Sequence, residues 1–510
     1  MVEQRERIVR AQTRTGKTVT RRLAVAAMTV VLAACATNPV TGRREISLMS
    51  PESEAALGRQ AAAEVERDIG LVRGAGLNAY VEAIGRRLAQ HSPRSDVSYR
   101  FQVADMAEPN AFALPGGYIY VSRGLLALTN SEDELAGVIG HEIGHVAALH
   151  AAQRQTRAAG VGLLSILGTV AAGAMGGSQA AEGFGQLAQV AGAGLIASYG
   201  RDQERQADQV GQELAASGGW DPAGISAFLT ALGREELLRT GHERLPGFLD
   251  SHPTSRERVQ TTLRQAAALA RAPVPPVAAT RSEFLARIEG VRIGPNPREG
   301  VFRGRRFLHP GLGIALEFPE GWQTQNQKRA VAALSPEKDA LLVLEPQGAT
   351  GDPLAAARAW AEANSVQLQQ AGALSIGGYA AFRGRAVAQG QQGRTAVEVT
   401  WIAHPSAMLR LTGMTALQSF DARAASFRAA SQSFRPLSRE ERNSIHDRIL
   451  RTVSARGGET LDALGRRTDN QWSPAETAVA NGLAVDTRLR ADQWVKIAVD
   501  VPLAAEVDAK

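Results

Sequence analysis

The sequence predicts a multidomain chain that starts with a mainly α-helical domain containing one small β-sheet and continues with a small α+β domain and a βααβ module. Three observations support this fold class. Apolar residues recur at helical spacing through most of residues 53–270, with one alternating, strand-like segment at 118–121. A proline- and alanine-rich stretch follows at 272–279, and beyond it strand-like runs alternate with helical segments. The 510 residues, 44% of them hydrophobic, are ample for several cores.

The N-terminus has the features of a bacterial export signal. Residues 23–34 are uncharged, follow two arginines and are too few to span a bilayer, so 1–34 are predicted to be a signal peptide. The following motif, Leu32-Ala33-Ala34-Cys35, resembles a lipobox, in which the cysteine receives diacylglycerol. Cys35 is the only cysteine in the chain, so lipidation explains it better than a disulfide; the alternative is a buried or incidental cysteine.

The mature chain is predicted to be a periplasmic lipoprotein. Residues 35–52 would form the lipidated tether, and Ala36 is not the aspartate that retains many lipoproteins at the inner membrane, which favours the outer membrane. Removing residues 1–34 removes seven basic and two acidic residues, so the net charge falls by 5 from +6 to +1. Because the mature chain is nearly neutral and has no nucleic-acid motif, we exclude a nucleic-acid partner.

The elements of the first domain follow from local patterns. Residues 53–94 have helical spacing, and 110–126 predict a strand followed by a helix. Ser131 and Glu134 form an S-x-x-E capping box that begins a helix running through Val146. Asp221-Pro222 predicts the start of a helix that continues to Leu238.

The helix that starts at Ser131 contains His141-Glu142-Ile143-Gly144-His145, an HExxH motif. Residues four apart lie on one face of a helix, so His141 and His145 can bind one metal ion while Glu142 reaches a water that the ion activates. This chemistry is typical of zinc hydrolases, in which the carboxylate acts as general base. The alternative is a chance match of two unrelated histidines.

A third ligand is expected downstream, and Glu204 is the candidate. Asp208 lies four residues later on the same helix face, where it can accept a hydrogen bond from a ligand imidazole. The alternative is a solvated, charged helix face, because five charged residues are crowded into 201–208.

Four separated segments together resemble the M48 peptidases. They are Asn110-Ala111-Phe112-Ala113-Leu114-Pro115-Gly116-Gly117 with the strand after it, the HExxH motif, the E-x-x-x-D of Glu204 and Asp208, and Ser251-His252-Pro253-Thr254-Ser255-Arg256-Glu257-Arg258, which matches the family's H-P-x-x-x-x-R. The resemblance covers about residues 45–265 and implies a zincin fold of the gluzincin type for residues 53–270.

The resemblance also implies roles for individual residues. His141, His145 and Glu204 would bind one Zn²⁺ per chain, Glu142 would be the general base, and Asp208 would support a ligand. The strand of Asn110, Ala111, Phe112, Ala113 and Leu114 would align the substrate by backbone pairing. His252 would either occupy the fourth zinc position and keep the enzyme latent or, with Arg258 nearby, stabilise the oxyanion; the alternative is a loop histidine beside a rigid proline.

Two further segments belong to this half of the chain. Residues 158–197 are rich in alanine and glycine, and we expect a helical hairpin beside the active site rather than a membrane crossing. Residues 271–299 are predicted to be a linker.

The last two domains carry less chemical information. Residues 300–437 predict a small α+β domain with strands at 314–318, 341–344 and 396–399 and helices at 353–369 and 420–433. Its sequence indicates no chemistry, and binding of a substrate or partner is a hypothesis for its role. Residues 445–502 resemble a divergent LysM module, with Gly458-Glu459-Thr460-Leu461 and Asn481-Gly482-Leu483 at the characteristic places. Contact with peptidoglycan and a purely structural capping role are both open.

The sequence therefore predicts a lipid-anchored, zinc-dependent endopeptidase that cleaves misfolded or misassembled envelope polypeptides. Two alternatives belong to other classes. One is an outer-membrane assembly factor or chaperone whose proteolysis is latent, and the other is a scaffold tethered to peptidoglycan. The intact Glu142 favours catalysis over scaffolding, because a scaffold needs no general base.

Overall fold

The structure is a computed structural model. It describes residues 35–46, 49–154, 199–239, 248–252, 256–390 and 393–503. The predicted signal peptide, the predicted hairpin at 158–197 and Pro253 of the H-P-x-x-x-x-R motif lie outside these residues. Among the helices that the structure describes, none combines the length and the apolar character needed to cross a membrane.

The N-terminal domain is built mainly from helices around one buried core. Its first strands are short: β1 (Cys35–Thr37) pairs with β2 (Arg44–Ile46). The helices are α1 (Pro51–Asp68), α2 (Ala75–Ala89), α3 (Arg123–Leu128), α4 (Glu132–Ala147), α5 (Arg201–Ser217), α6 (Gly224–Arg239), α7 (Phe248–Ser251) and α8 (Arg256–Ala266).

One small sheet packs against these helices. It contains β3 (Arg100–Ala104), β4 (Ala111–Leu114) and β5 (Tyr118–Ser122) in the order β3-β5-β4. β3 is parallel to β5, whereas β4 is antiparallel to it. Among the described strands β4 pairs only with β5, so its second edge is not used within the sheet.

Helix α4 is buried along almost its whole length, and its start matches the sequence prediction. The Ser131 side chain accepts a hydrogen bond from the backbone N–H of Glu134, as an N-cap should. The expected reciprocal bond is displaced by one residue, because a carboxylate oxygen of Glu134 accepts from the N–H of Asn130. The prediction of this helix was therefore right, although the capping box is not closed.

Helices α4 and α5 cross at two glycines. A Cβ atom on Gly140 would lie 2.8 Å from the carbonyl oxygen of Gly211, and one on Gly211 would lie 2.6 Å from the backbone nitrogen of His141. Such distances leave no room for a side chain, so the two backbones approach closely at this crossing. The approach brings the HExxH face of α4 against the face of α5 that carries Glu204.

The segment predicted to be a linker, residues 271–299, contains a docked helix, α9 (Arg281–Ile288). Thr280 and Glu283 form a reciprocal capping box, and Phe284, Leu285 and Ile288 are buried in the core of the N-terminal domain. The proline-rich composition describes only its first residues. The rest of the segment forms a helix because its three apolar side chains share one face, and burying that face against the N-terminal domain stabilises the helix.

The α+β domain contains the predicted strands at 314–318, 341–344 and 396–399 and the predicted helix at 420–433, together with strands that were not predicted. The helix predicted at 353–369 is too long: it ends at Ala363, the chain turns through a left-handed residue at Ser365, and Gln369 begins a strand. A seven-stranded antiparallel sheet has the order β12-β13-β14-β15-β11-β10-β9, and a four-stranded sheet has the order β16-β8-β7-β6. The strands are β6 (Val301–Arg303), β7 (Arg306–His309), β8 (Ile314–Glu317), β9 (Gln323–Gln327), β10 (Ala330–Leu334), β11 (Ala340–Pro346), β12 (Gln369–Ile376), β13 (Tyr379–Gly390), β14 (Gly393–His404), β15 (Ala407–Ala416) and β16 (Arg435–Pro436). The helices are α10 (Pro353–Ala363), α11 (Phe420–Gln432) and α12 (Arg439–Asn443).

The C-terminal module has the predicted βααβ order. β17 (His446–Ser454) is antiparallel to β18 (Trp494–Pro502), with α13 (Leu461–Thr468) and α14 (Pro474–Ala480) between them.

This module is docked on the N-terminal domain. The backbone around Val291 pairs with β17, since the N–H of Leu450 donates to the carbonyl of Val291, and Leu450 is fully buried in the core of the N-terminal domain. Asn481, at the end of α14, accepts a hydrogen bond from Arg281 of α9. The module is therefore packed against the domain that holds the HExxH helix.

Candidate metal centre

The HExxH helix and helix α5 place three predicted ligands together. The Nε2 atoms of His141 and His145 are 3.0 Å apart, as expected for histidines four residues apart on one helix face. Glu204, from the first turn of α5, lies opposite: its carboxylate oxygens are 3.6 Å from His141 Nε2 and 3.4 Å from His145 Nε2. The charged residues of 201–208 thus do not all form a solvated face, because Glu204 points inward and is 2% exposed.

His252, which follows the short helix α7, completes the group. Its Nδ1 atom lies 2.9 Å from a carboxylate oxygen of Glu204 and 3.2 Å from His141 Nε2. Each of the four side chains offers one ligand atom, and the four atoms lie within 4.8 Å of one another.

The donor set fits a zinc ion. Four nitrogen or oxygen ligands at zinc's usual bond lengths stand about 3.4 Å apart in a tetrahedron. Five of the six pairs of donor side chains among His141, His145, Glu204 and His252 approach to 2.9–3.6 Å, and all four donor atoms lie within 4.8 Å of one another. Imidazole and carboxylate donors are also the ligand types that zinc prefers. The chemistry and the spacing of these side chains therefore match the predicted metal.

Asp208 and Arg258 hold the ligands in place. The carboxylate of Asp208 lies 2.9 Å from His141 Nδ1, so the ring can present its other nitrogen to the metal. Arg258 binds both carboxylates, with its Nε 2.7 Å from Asp208 and its Nη1 2.7 Å from Glu204. Burial opposes ionisation of Asp208, but the Arg258 guanidinium outweighs burial and holds the pKa of the aspartate below its usual value. Arg258 thus bridges two carboxylates of the centre.

Glu142 is fully buried beside the four donors. Its nearest carboxylate oxygen is 3.5 Å from His252 Nε2, and neither carboxylate oxygen has a hydrogen-bond partner among the described residues. Burial raises the pKa of this carboxyl group, which makes its ionised form a stronger base. An unpartnered buried carboxylate is costly, and a catalytic proton acceptor is one established reason for keeping it.

Two aromatic residues that the sequence did not indicate cover the centre. Tyr199 stacks on His145 with ring centroids 3.8 Å apart, and Phe248 stacks on His252 at 4.3 Å. The backbone N–H of Tyr199 donates to the carbonyl of Ser251, which ties the two covers together. Neither residue belongs to the four motifs, although Tyr199 lies five residues before Glu204 and Phe248 four residues before His252. Their stacking depends on how these segments pack, which spacing alone does not predict.

A third residue missed from the sequence is His150. Its Nδ1 lies 2.8 Å from Nδ1 of His145, and it is fully buried. A histidine five residues after an HExxH motif is a visible signal in retrospect. Helical spacing does not predict its contact with His145, because a residue five positions later in a helix lies away from the face that carries the ligands.

The predicted substrate strand borders the same centre. Ala113 and Leu114 of β4 line a small cavity together with His145 and Tyr199. Asn110, just before β4, is buried and paired by its backbone to Ser122. The remaining strand residues, Ala111 and Phe112, pair with Val121 and Tyr120.

Residues 76–266, which contain all the side chains of this centre, match peptidase family M48. This part of the chain is an M48 peptidase domain. The match lies inside the predicted domain of residues 53–270 and confirms the family that the four motifs indicated. The four-donor group within an M48 domain also confirms the predicted zinc cofactor.

Several characterised proteins are similar to the chain over its M48 domain. The mitochondrial metalloendopeptidase OMA1 of Schizosaccharomyces pombe is 29% identical over 226 residues, 44% of this chain and 64% of that protein. The beta-barrel assembly-enhancing protease of Escherichia coli K12 is 30% identical over 248 residues, 46% of this chain and 49% of that protein. The metalloprotease LoiP of Escherichia coli K12 is 31% identical over 178 residues, 35% of this chain and 66% of that protein. The chain thus spans about half to two thirds of the length of these relatives.

Proposed function

We propose that the chain is a zinc-dependent endopeptidase whose active site is the M48 metal centre. One observation carries the proposal: the unpartnered carboxylate of Glu142 lies beside four converging zinc-type donors. A purely structural zinc site needs four ligands but no free carboxylate next to them.

The chemistry assigns each residue a step. Zinc, when bound, supplies Lewis acidity that polarises the scissile carbonyl and lowers the pKa of water to about 7. Glu142 accepts the proton of the attacking water and delivers it to the nitrogen of the leaving amine. Asp208 and Arg258 keep His141 and Glu204 oriented throughout. The free edge of β4 pairs with an extended substrate and brings its carbonyl to the centre.

His252 makes this site a latent one. Four protein donors close a tetrahedral zinc site, whereas a catalytic site keeps one position open. The position of its Nδ1, within 3.2 Å of two other donors, favours the fourth-ligand role over oxyanion stabilisation. Opening requires movement of the short helix α7, whose Phe248 stacks on His252 and whose Ser251 carbonyl accepts a hydrogen bond from the N–H of Tyr199.

The proposed substrates are misfolded or misassembled envelope polypeptides. The similarity to a beta-barrel assembly-enhancing protease supports an outer-membrane protein as substrate. The lipobox ending at Cys35 supports attachment to a membrane through a lipid, with the domain facing the periplasm. An extended, unfolded segment is also the shape that an edge strand can pair with.

A second function, assembly factor with rare proteolysis, is favoured by the closed state of the centre. A peptidoglycan-tethered scaffold has less support, because Asn481 of the LysM-like pattern bonds Arg281 and so serves the docking of the module. We therefore favour the structural role for the C-terminal module over glycan binding.

The test is degradation of an unfolded outer-membrane barrel protein by the purified chain. We expect one zinc ion per chain and cleavage that a chelator abolishes and added zinc restores. Bound zinc without cleavage, both in the unsubstituted chain and in the His252→Ala variant, would favour the assembly factor. Cleavage that persists after complete zinc removal would contradict the proposed mechanism.

A further inference from the structure

Helix α4 ends in a turn that directs His150 back toward the metal centre. Leu149 has φ of 60°, a left-handed conformation that a leucine rarely adopts. The residue after it, His150, is fully buried, with Nδ1 2.8 Å from Nδ1 of His145 and Nε2 2.8 Å from Oε1 of Gln206. A strained residue that persists next to a functional centre is held there by its surroundings. The left-handed turn at Leu149 brings the imidazole of His150 into contact with that of His145.

We propose that His150 is a positioning residue that, through Gln206, fixes the tautomer of the zinc ligand His145. This inference rests on the proposed zinc site. The side chain of His150 would touch neither zinc nor substrate, and it would act only through the ring of His145.

The direction of each hydrogen bond can be assigned by starting from Gln206 and following the contacts through His150 to His145. Oε1 of Gln206 can only accept, so Nε2 of His150 carries the proton. A neutral imidazole carries one N–H, and Nδ1 of His150 is therefore an acceptor. His145 must then donate from its own Nδ1. Its Nε2 is left with a lone pair that faces the other donors, as zinc binding requires.

The two histidine ligands are thus oriented by different chemistry. Nδ1 of His141 faces the Asp208 carboxylate at 2.9 Å, whereas Nδ1 of His145 faces a neutral imidazole backed by an amide. The centre already contains the carboxylates of Glu142, Glu204 and Asp208 within a buried space. A neutral partner orients the second ligand without adding another negative charge to a low-dielectric site.

A purely structural role for His150 makes a different prediction. A buried ring that only fills space would change stability when it is replaced, but zinc affinity would follow stability alone. A positioning role requires an acceptor at the place of Nδ1. Asparagine can supply one with its side-chain oxygen, whereas leucine has a similar volume and no acceptor.

The experiment measures zinc affinity of the full chain by competition with a chelator. We expect His150→Leu and Gln206→Leu to weaken zinc binding about 10- to 100-fold, and His150→Asn to recover most of the loss. His404→Leu is the matched control, since His404 is also buried and also bonded through Nδ1, to Ser406 at 2.8 Å, but lies in the α+β domain. Its zinc affinity should be unchanged.

Each outcome separates the two proposals. If the unsubstituted chain binds no zinc, the proposed metal site fails and this inference fails with it. If the unsubstituted chain binds zinc and His150→Leu binds it equally well, or if His150→Asn is as weak as His150→Leu, only the positioning role is overturned. Should the leucine variants fail to fold, nitrogen-15 chemical shifts of the imidazoles in the unsubstituted chain decide: we expect the proton of His150 on Nε2, and a proton on its Nδ1 would overturn the proposal.

Discussion

Lys496 in the last strand donates a hydrogen bond of 2.8 Å to the carbonyl oxygen of Ala127, 369 residues earlier in the chain. The same ammonium group also donates to the carbonyls of Leu128 and Thr129, at 3.2 and 2.7 Å. These carbonyls lie at the C-terminal end of α3, and that of Leu128 also accepts a hydrogen bond from the side chain of Asn130. The C-terminal module therefore caps a helix that ends just before the HExxH helix begins.

Replacing this lysine should loosen the attachment of the module. Lys496→Met keeps the length of the side chain but removes the donor to the buried carbonyls of Ala127 and Thr129, whereas the carbonyl of Leu128 keeps Asn130. We therefore expect a loss of roughly 1–3 kcal/mol in the free energy of unfolding. Thermal unfolding followed by circular dichroism measures the effect. The exposed Lys328→Met, which removes a hydrogen bond to the backbone carbonyl of Glu66, is the control and should change little. Equal stability of both variants would show that the Lys496 cap contributes nothing.

Removing the proposed general base should separate binding from cleavage. Glu142→Gln has nearly the same shape and removes no proposed ligand, so zinc content should be unchanged. The loss of a proton acceptor should lower the cleavage rate by about 10²- to 10⁴-fold. Zinc analysis and a peptide-cleavage assay on the same preparation test both parts, and a variant as active as the unsubstituted chain would refute the assignment of Glu142.

Substitution of His252 distinguishes its two predicted roles. If it closes the fourth zinc position, His252→Ala should retain zinc on the remaining three ligands and cleave faster than the unsubstituted chain. If it stabilises the oxyanion instead, the same variant should retain zinc and cleave more slowly, by about 10²- to 10³-fold. Initial rates at equal zinc content decide between these results.

Stability should also depend on pH through Glu299, at the junction of the N-terminal and α+β domains. Burial, followed by the nearby charge of Asp105, raises the pKa of Glu299 to about 7. Since this folded-state pKa exceeds the usual value, the folded chain binds the proton more tightly than the unfolded chain. The contribution to stability is therefore full at low pH and decreases as the pH rises from about 4.5 to about 7.

Glu299→Gln should remove this dependence, because the amide stays neutral. We expect the variant to be more stable than the unsubstituted chain by roughly 1–3 kcal/mol near pH 8 and nearly equal to it near pH 5. Unfolding temperatures at the two pH values test this expectation, with the exposed Glu213→Gln as the control. A gain of the same size at both pH values would contradict it.

The sequence predicted those parts of the centre that depend on local spacing. His141, Glu142 and His145 follow from the period of one helix, and Ser131 marks where that helix begins. Glu204 needed the family resemblance, because a charged helix face looks the same until the helix is packed. The role of Arg258 became definite only in three dimensions, where it bridges Asp208 and Glu204.

Other features had no local signal. His150 follows a left-handed turn at Leu149, so helical spacing does not relate it to His145. The contact of Lys496 with α3 joins residues that are hundreds of positions apart, and no pattern in β18 predicts it. The helix at Arg281–Ile288 was not predicted, because the prolines that precede it indicated a linker, although its capping box at Thr280 was present in the sequence.

The burial of Leu450 in the core of the N-terminal domain affects when that core can form during synthesis. Domains generally fold as units, but this core is shared between segments that are far apart in the chain. The core that surrounds the HExxH helix lacks one of its buried side chains until the strand that carries Leu450 has docked. Completion of the peptidase core therefore waits for the C-terminal module, wherever the chain folds.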